Sequence, residues 1–241
     1  MELEKVHILA IGAHPDDVEL SCSGSLMKAI DAGKKVGLLD LTQGELGTRG
    51  SAALRLKEAE ASRKLMGAAF RVNLGMKDGF FSDDEAHQLP IIEVIRACQP
   101  DIVLVNAPRD RHPDHGKGAQ LEHKACFLSG LRRIETSYNG QAQEAWRPRL
   151  VLNYIQDYFI EPQIVVDISG YWERKMEAIM CFGSQFYDPN SDEPESSISS
   201  KAFLDVLKGR AQTFGRYASF EYGEGFVADR PIGVGALSEL F

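Results

Sequence analysis

Cysteine is scarce in this 241-residue chain, and the four present, Cys22, Cys98, Cys126 and Cys181, stand far apart. That spacing excludes a close-set cysteine zinc site or redox pair, and reads as free thiols in a reducing compartment. No apolar run reaches membrane-spanning length, so no membrane partner is expected. Met1 to Lys5 carries neither a basic segment nor a signal-length apolar stretch, which gives a cytoplasmic location as the expectation. Positive charge is in deficit. Lys and Arg number 27 against 35 Asp and Glu, and the net −8 argues against nucleic acid as a partner while leaving room for a local basic pocket. Internal repeats and low-complexity tracts are absent too.

What is present is an ordinary globular composition, 44% apolar, in a chain long enough for one substantial core. A single domain over residues 1–241 is expected. Apolar runs at Val6–Ile11, Lys35–Leu41, Phe70–Leu74, Asp101–Val105, Val151–Ile155 and Ile164–Ile168 read as strands. Between them, helical spacing marks Ser21–Ala32, Ser51–Gly67 (with Leu54, Ala61 and Leu65 facing the core), Leu89–Cys98 and Lys117 to about Ile134. Tyr171–Cys181 and Lys201 to about Tyr217 follow, and Asp188–Ser197 reads as an exposed connection. Alternation of this kind predicts an α/β, Rossmann-like fold: a mostly parallel sheet with helices on both faces, in strand order 3-2-1-4-5 plus later strands. In that order the first and fourth strands are neighbours at the switch point, and the loops at their carboxyl ends share one crevice.

Both loops carry chemistry. Ala13-His14-Pro15-Asp16-Asp17-Val18-Glu19 follows the first strand, and Arg109-Asp110-Arg111-His112-Pro113-Asp114-His115 follows the fourth. Histidines and carboxylates are costly to desolvate there unless paired, and a divalent metal is the simplest partner. Adjacent Asp16 and Asp17 point differently, so one can ligate while the other takes a proton from water. His112 and His115 divide in the same way, one on the metal and one beside an oxyanion, with Asp110 or Asp114 to orient the imidazole. Such a site hydrolyses amides or esters without a serine or cysteine nucleophile. Three glycines in Thr42–Gly50 let backbone approach closely, and Arg49 and Arg55 beside them suit an anion. Phe80 and Phe81 read as packing, Glu221–Glu224 as a terminal turn or a pocket wall.

The two histidine motifs, with Gly44-Glu45-Leu46-Gly47-Thr48-Arg49-Gly50, resemble the signature of the LmbE-like (PIG-L) zinc-dependent N-acetylglucosamine deacetylases. Gly183-Ser184-Gln185-Phe186 and Tyr222-Gly223-Glu224-Gly225-Phe226 are similar to the bacillithiol-pathway branch of that family. The resemblance implies His14, Asp17 and His115 as metal ligands, Asp16 as general base, His112 at the oxyanion and Asp114 as its modulating carboxylate. It also implies substrate contacts for Arg55 and Arg111, although Gly50–Arg55 lacks the Pro-Glu pair common in the family. Zinc is the implied cofactor, with ferrous iron fitting the same donors. The implied substrate is a small glycoside, N-acetylglucosaminyl malate, with another small N-acetylglucosamine or thiol conjugate as the alternative. A homo-oligomer, in that branch a homohexamer, is implied as well. A non-catalytic zinc or sugar binder is the competing class.

Overall fold

The computed structural model describes residues 3–236. In chain order the elements are β1 (Ile8–Gly12), α1 (Asp17–Asp31), β2 (Val36–Thr42), α2 (Ala52–Met66), β3 (Phe70–Met76), α3 (Glu85–Cys98), β4 (Ile102–Val105) and α4 (Pro113–Leu128). A small hairpin of β5 (Ser137–Tyr138) and β6 (Gln141–Ala142) precedes β7 (Leu150–Tyr154) and β8 (Ile164–Asp167). A 3-10 turn at Ser169–Tyr171, α5 (Trp172–Met180), α6 (Lys201–Tyr217) and β9 (Gly223–Ala228) complete it. The main sheet runs β3-β2-β1-β4-β7-β9-β8, which realises the expected 3-2-1-4-5 order with β7 as the fifth strand.

Every residue of β2 is buried, as expected of a strand covered on both faces. Leu9, Ile11 and Val103 pack with Ile91 and Ile95 of α3 and with Leu121 and Ala125 of α4 on one face. Ala10, Leu38 and Leu104 pack with Val18, Cys22 and Leu26 of α1 and with Ala178 of α5 on the other. In the parallel ladders Ala10 pairs with Leu38 on one side and Leu104 on the other, so β1 lies between β2 and β4 at the switch point. Gly37 pairs with Phe70 in the next ladder, and a Cβ built on Gly37 would lie 2.3 Å from the Phe70 ring. Gly37→Ala must displace that ring in a close-packed layer. The expected cost is about 1–3 kcal/mol, seen as a lower denaturant midpoint with unchanged m-value.

Several elements depart from the sequence expectation. α1 and α4 begin at Asp17 and Pro113, so both motifs lie on helix N-termini as well as in loops. His112 caps α4 through Nδ1, which accepts from Asp114 N, and Pro113 fits the first helical turn, where its missing N–H costs nothing. α3 begins at Glu85 because Asp84 caps it by accepting from His87 N. α4 stops at Leu128, short of Ile134, and the Arg96 guanidinium gathers the carbonyls of Ser129, Leu131 and Ile134 instead. Asn139 and Gly140 both take positive φ at the hairpin tip. The buried face of α2 carries Arg55, Glu58, Ala59, Ser62 and Met66, while Leu54, Ala61 and Leu65 face solvent. That face is polar because its neighbours are: Ser62 Oγ donates to Glu19 Oε1, and Glu58 accepts from Ser184 N and Oγ.

β9 inserts between β7 and β8, antiparallel to both, where a turn or pocket wall was expected. Its Glu224 carboxylate is buried and accepts from Gly24 N and Ser25 N inside α1. Lys175 of α5 donates to Glu224 Oε1 at 2.6 Å and to Leu20 O at 3.0 Å. An ion pair thus joins the last strand, α5 and the middle of α1.

Candidate metal centre

β1 and β4 end side by side, and their loops bring three imidazoles together. His14 and His112 have ring centroids 4.7 Å apart, His112 and His115 5.1 Å, and His14 and His115 5.6 Å. One nitrogen from each lies within 4.8 Å of the others, and His14, Asp78 and Asp114 form a second such group. The trio expected from sequence, His14, Asp17 and His115, is not one of these tight groups, yet Asp17 touches both of its imidazoles. Asp17 Oδ2 is 3.6 Å from His14 Nδ1, and Oδ1 is 3.1 Å from His115 Nε2. The 3.1 Å between Oδ1 and His115 Nε2 is near the edge of about 3.4 Å expected between nitrogen and oxygen ligands about 2.1 Å from a tetrahedral ion.

The outer partners point the rings. Asp110 Oδ2 lies 2.5 Å from His115 Nδ1, which leaves Nε2 toward Asp17. His14 Nε2 is 3.0 Å from Asp78 Oδ1 and 3.4 Å from Asp114 Oδ2, which leaves its Nδ1 on the Asp17 side. Asp114 does not reach the His112 ring with its carboxylate. It pairs with His14 and Lys117 and accepts from Gly79 N, and only its backbone N touches His112.

Four carboxylates, Asp17, Asp78, Asp110 and Asp114, therefore crowd His14 and His115, with Lys117 as a permanent cation on Asp114. In this charge balance burial would hold His14 down, but hydrogen bonds to Asp114, Asp17 and Asp78 outweigh it and carry the ring well above its usual value. Burial opposes His115 also, and the Asp17 charge with the Asp110 bond lifts it to about 9. Asp17 is the reverse case: burial favours its neutral form, and His115 and His14 hold it well below the usual carboxylate range. A set of nitrogen and oxygen donors that draws this much positive charge fits a divalent cation of the zinc type.

Asp16 is different. It is buried and faces Arg55, whose Nη1 lies 3.5 Å from Asp16 Oδ2, and no imidazole contacts its carboxylate. Burial, only partly offset by Arg55, raises it to about 7. Its backbone sits at φ 130°, which L residues rarely adopt and which recurs at functional positions. Arg55 is held by the glycine-rich loop: a Cβ on Gly44 would meet its Nη1 at 2.6 Å and one on Gly47 its Nη2 at 3.0 Å. A cleft of about 300 Å³ opens above these groups, a volume at the small end for small-molecule sites.

The family model described as PIG-L: GlcNAc-PI de-N-acetylase matches residues 9–126, a span that holds both motifs. The chain is 33% identical over 168 residues to the uncharacterised deacetylase YaiS of Escherichia coli, covering 63% of this chain and 84% of that protein. The chain belongs to the PIG-L family. To the diacetylchitobiose deacetylase of Thermococcus kodakarensis this PIG-L protein is 28% identical over 228 residues, covering 90% of it and 81% of the relative. Among solved structures it is similar to the conserved protein TT1542 from Thermus thermophilus, with a TM-score of 0.84, 30% identity and coverage of 96% and 98%. Family and histidine–aspartate cluster together make it a metal-dependent amide hydrolase.

Of the residues picked from sequence, His14, Asp16, Asp17, Arg55, Arg111, His112 and His115 line the cleft of this PIG-L chain. Asp114 lies fully buried behind His14. Arg49 is placed elsewhere: its guanidinium donates to Phe186 O and Ser191 Oγ and so pins the segment after α5. Arg111 sits at the lip, its Nε donating to Asp157 Oδ2 at 2.6 Å. Sequence reasoning missed Asp78, Gln156, Asp157 and Arg210, all of which line the cleft. None stands in a motif, and only the fold brings them within reach. Phe81 is buried as expected, whereas Phe80 is exposed. Among the described residues no helix is long and apolar enough to cross a membrane.

Proposed function

We propose that this protein removes the acetyl group from the amine of a small N-acetylglucosamine conjugate. The observation that carries this reading is Asp16, a carboxylate raised to about 7 and free of imidazole contacts, in a cleft beside His14, Asp17 and His115. A divalent cation held by those three residues would polarise the acyl oxygen and make water acidic.

The chain's own groups supply the rest. Asp16 takes the proton of the attacking water and returns it to the departing amine, with Arg55 holding its carboxylate in place. Burial pushes His112 below its usual value and so favours its neutral ring. Its Nδ1 accepts from Asp114 N, so the ring proton is on Nε2, a donor for the oxyanion of the tetrahedral intermediate. Asp78, Asp110 and Asp114 orient the imidazoles of His14 and His115.

A carboxylate-bearing aglycone is favoured by the lip. Arg111 and Arg210 both approach Asp157, Arg111 at 2.6 Å and Arg210 at 3.8 Å, and burial holds Arg210 below its usual value. An incoming carboxylate can take either guanidinium from Asp157. Among small conjugates this supports N-acetylglucosaminyl malate.

The test is acetate release by metal-loaded protein from N-acetylglucosaminyl malate, N-acetylglucosaminyl inositol, diacetylchitobiose and free N-acetylglucosamine. Turnover of at least one is expected, and none from any would reject the reading in favour of a sugar or metal binder. Arg210→Ala is expected to raise KM for the malyl conjugate about 10-fold or more while leaving free N-acetylglucosamine nearly unchanged. An equal effect on both would remove the carboxylate preference.

A further inference from the structure

The two oxygens of Asp17 are held by side-chain amides from the ends of two other strands. Asn106, directly after β4, donates from Nδ2 to Asp17 Oδ2 at 3.0 Å. Gln156, just past β7, donates from Nε2 to Asp17 Oδ1 at 3.0 Å. Amide orientation is normally ambiguous between its oxygen and nitrogen, but here backbone donors fix both. Ala13 N donates to Asn106 Oδ1 at 2.8 Å, and Ala107 N donates to Gln156 Oε1 at 3.0 Å. Neither oxygen can therefore face Asp17. Asn106 Nδ2 also donates to Gln156 Oε1 at 2.9 Å, which joins the two amides to each other.

Asn106 is itself fully engaged. Asn106 N donates to Glu122 Oε2, and Asn153 Nδ2 donates to Asn106 O, so each polar group of Asn106 has a partner. Asn106 is fully buried and Gln156 is 5% exposed. A carboxylate offers about four acceptor positions. On Asp17, His14 N and Asn106 Nδ2 both lie 3.0 Å from Oδ2, and Gln156 Nε2 takes one position on Oδ1. The position left over is the one on Oδ1 that faces His115 Nε2 at 3.1 Å.

We infer that Asn106 and Gln156 are positioning residues for the metal centre: they hold Asp17 as an anion with a single acceptor site, on Oδ1, open toward His115 and a cation. The inference rests on the metal-dependent reading above. It gives Asp17 one ligating oxygen and a fixed direction. Both amides act through Asp17, whose oxygens their donors reach.

The test compares full-length wild type with Gln156→Met, which keeps the volume and removes the donor. Two properties are read: zinc affinity by competition with a chromophoric chelator, and the visible spectrum of the cobalt(II)-loaded protein. Zinc affinity is expected to fall roughly 10–100-fold, with an altered cobalt band from a reoriented oxygen ligand. A merely structural role would lower the melting temperature of the metal-free protein and leave the cobalt band where it was. Unchanged affinity and spectrum in a folded variant overturn the inference. Wild type that binds neither ion overturns the metal-dependent reading itself, which is a separate result. Should Gln156→Met fail to fold, Gln156→Asn keeps a polar side chain, withdraws the donor by one methylene, and is read in the same way.

Discussion

An Asp16→Asn variant is expected to load metal like the wild type and to lose about 10²–10⁴-fold in turnover, the usual contribution of a positioned proton-transfer group. Asparagine keeps the size of the side chain and an oxygen that can face Arg55, so the 3.5 Å contact survives in a weaker, uncharged form. It cannot take a proton from water. Metal loading is spared because the carboxylate of Asp16 contacts neither His14 nor His115, and Asp17 with its two amides stays in place. The pH profile gives a second readout. The wild type needs Asp16 deprotonated, so its kcat/KM must fall as pH drops through the carboxylate's titration. Burial, only partly offset by Arg55, raises that group to about 7, and a bound cation moves the acid limb below this, because positive charge favours the anion. The limb is expected to vanish from the residual activity of the variant. Near-normal turnover in Asp16→Asn would reject its role as the base.

His115→Ala is expected to lose both metal and activity. Its ring lies 3.1 Å from Asp17 Oδ1 through Nε2 and is anchored through Nδ1 by Asp110. Removing an outer partner of a metal ligand typically costs 10–100-fold in affinity, and removing a ligand itself should exceed that. Metal content of dialysed protein, measured beside acetate release, checks it. A full complement of metal in the variant would show that His14, His112 and Asp17 suffice, a set the proximity of the three imidazoles permits. Because Asp17 and Asp110 lose their partner together, the metal-free variant should also be less stable than metal-free wild type, by about 1–3 kcal/mol.

Much of this was legible in the sequence because the central strands are covered on both faces. β1 and β4 read as apolar runs and β2 as one interrupted at Asp40, and their order put the loops with His14 and His115 side by side. What escaped did so for specific reasons. β9 carries glycines at 223 and 225, which dilute the alternation that marks a strand. The Asn139-Gly140 pair is a hairpin signal, but the strands on either side are two residues each, too short to show an alternation. The buried face of α2 is polar, so hydrophobic spacing selects Leu54 and Leu65, which are exposed. Asp78, Gln156 and Arg210 carry no local signature, since their meaning comes from elements far away in the chain. The direction of the Asp114 carboxylate, toward His14 and Lys117, is likewise a property of the folded site.

The ion pair between Lys175 and Glu224 bears on the order in which the enzyme is completed. Asp17 opens the helix whose middle, at Gly24 and Ser25, is gripped by Glu224. During synthesis the first motif leaves the ribosome some two hundred residues before that grip exists. A nascent chain stopped before residue 224 has both histidine loops but lacks the anchor that seats α1 against β9, so the helix that Asp17 opens is gripped only once residue 224 has been made.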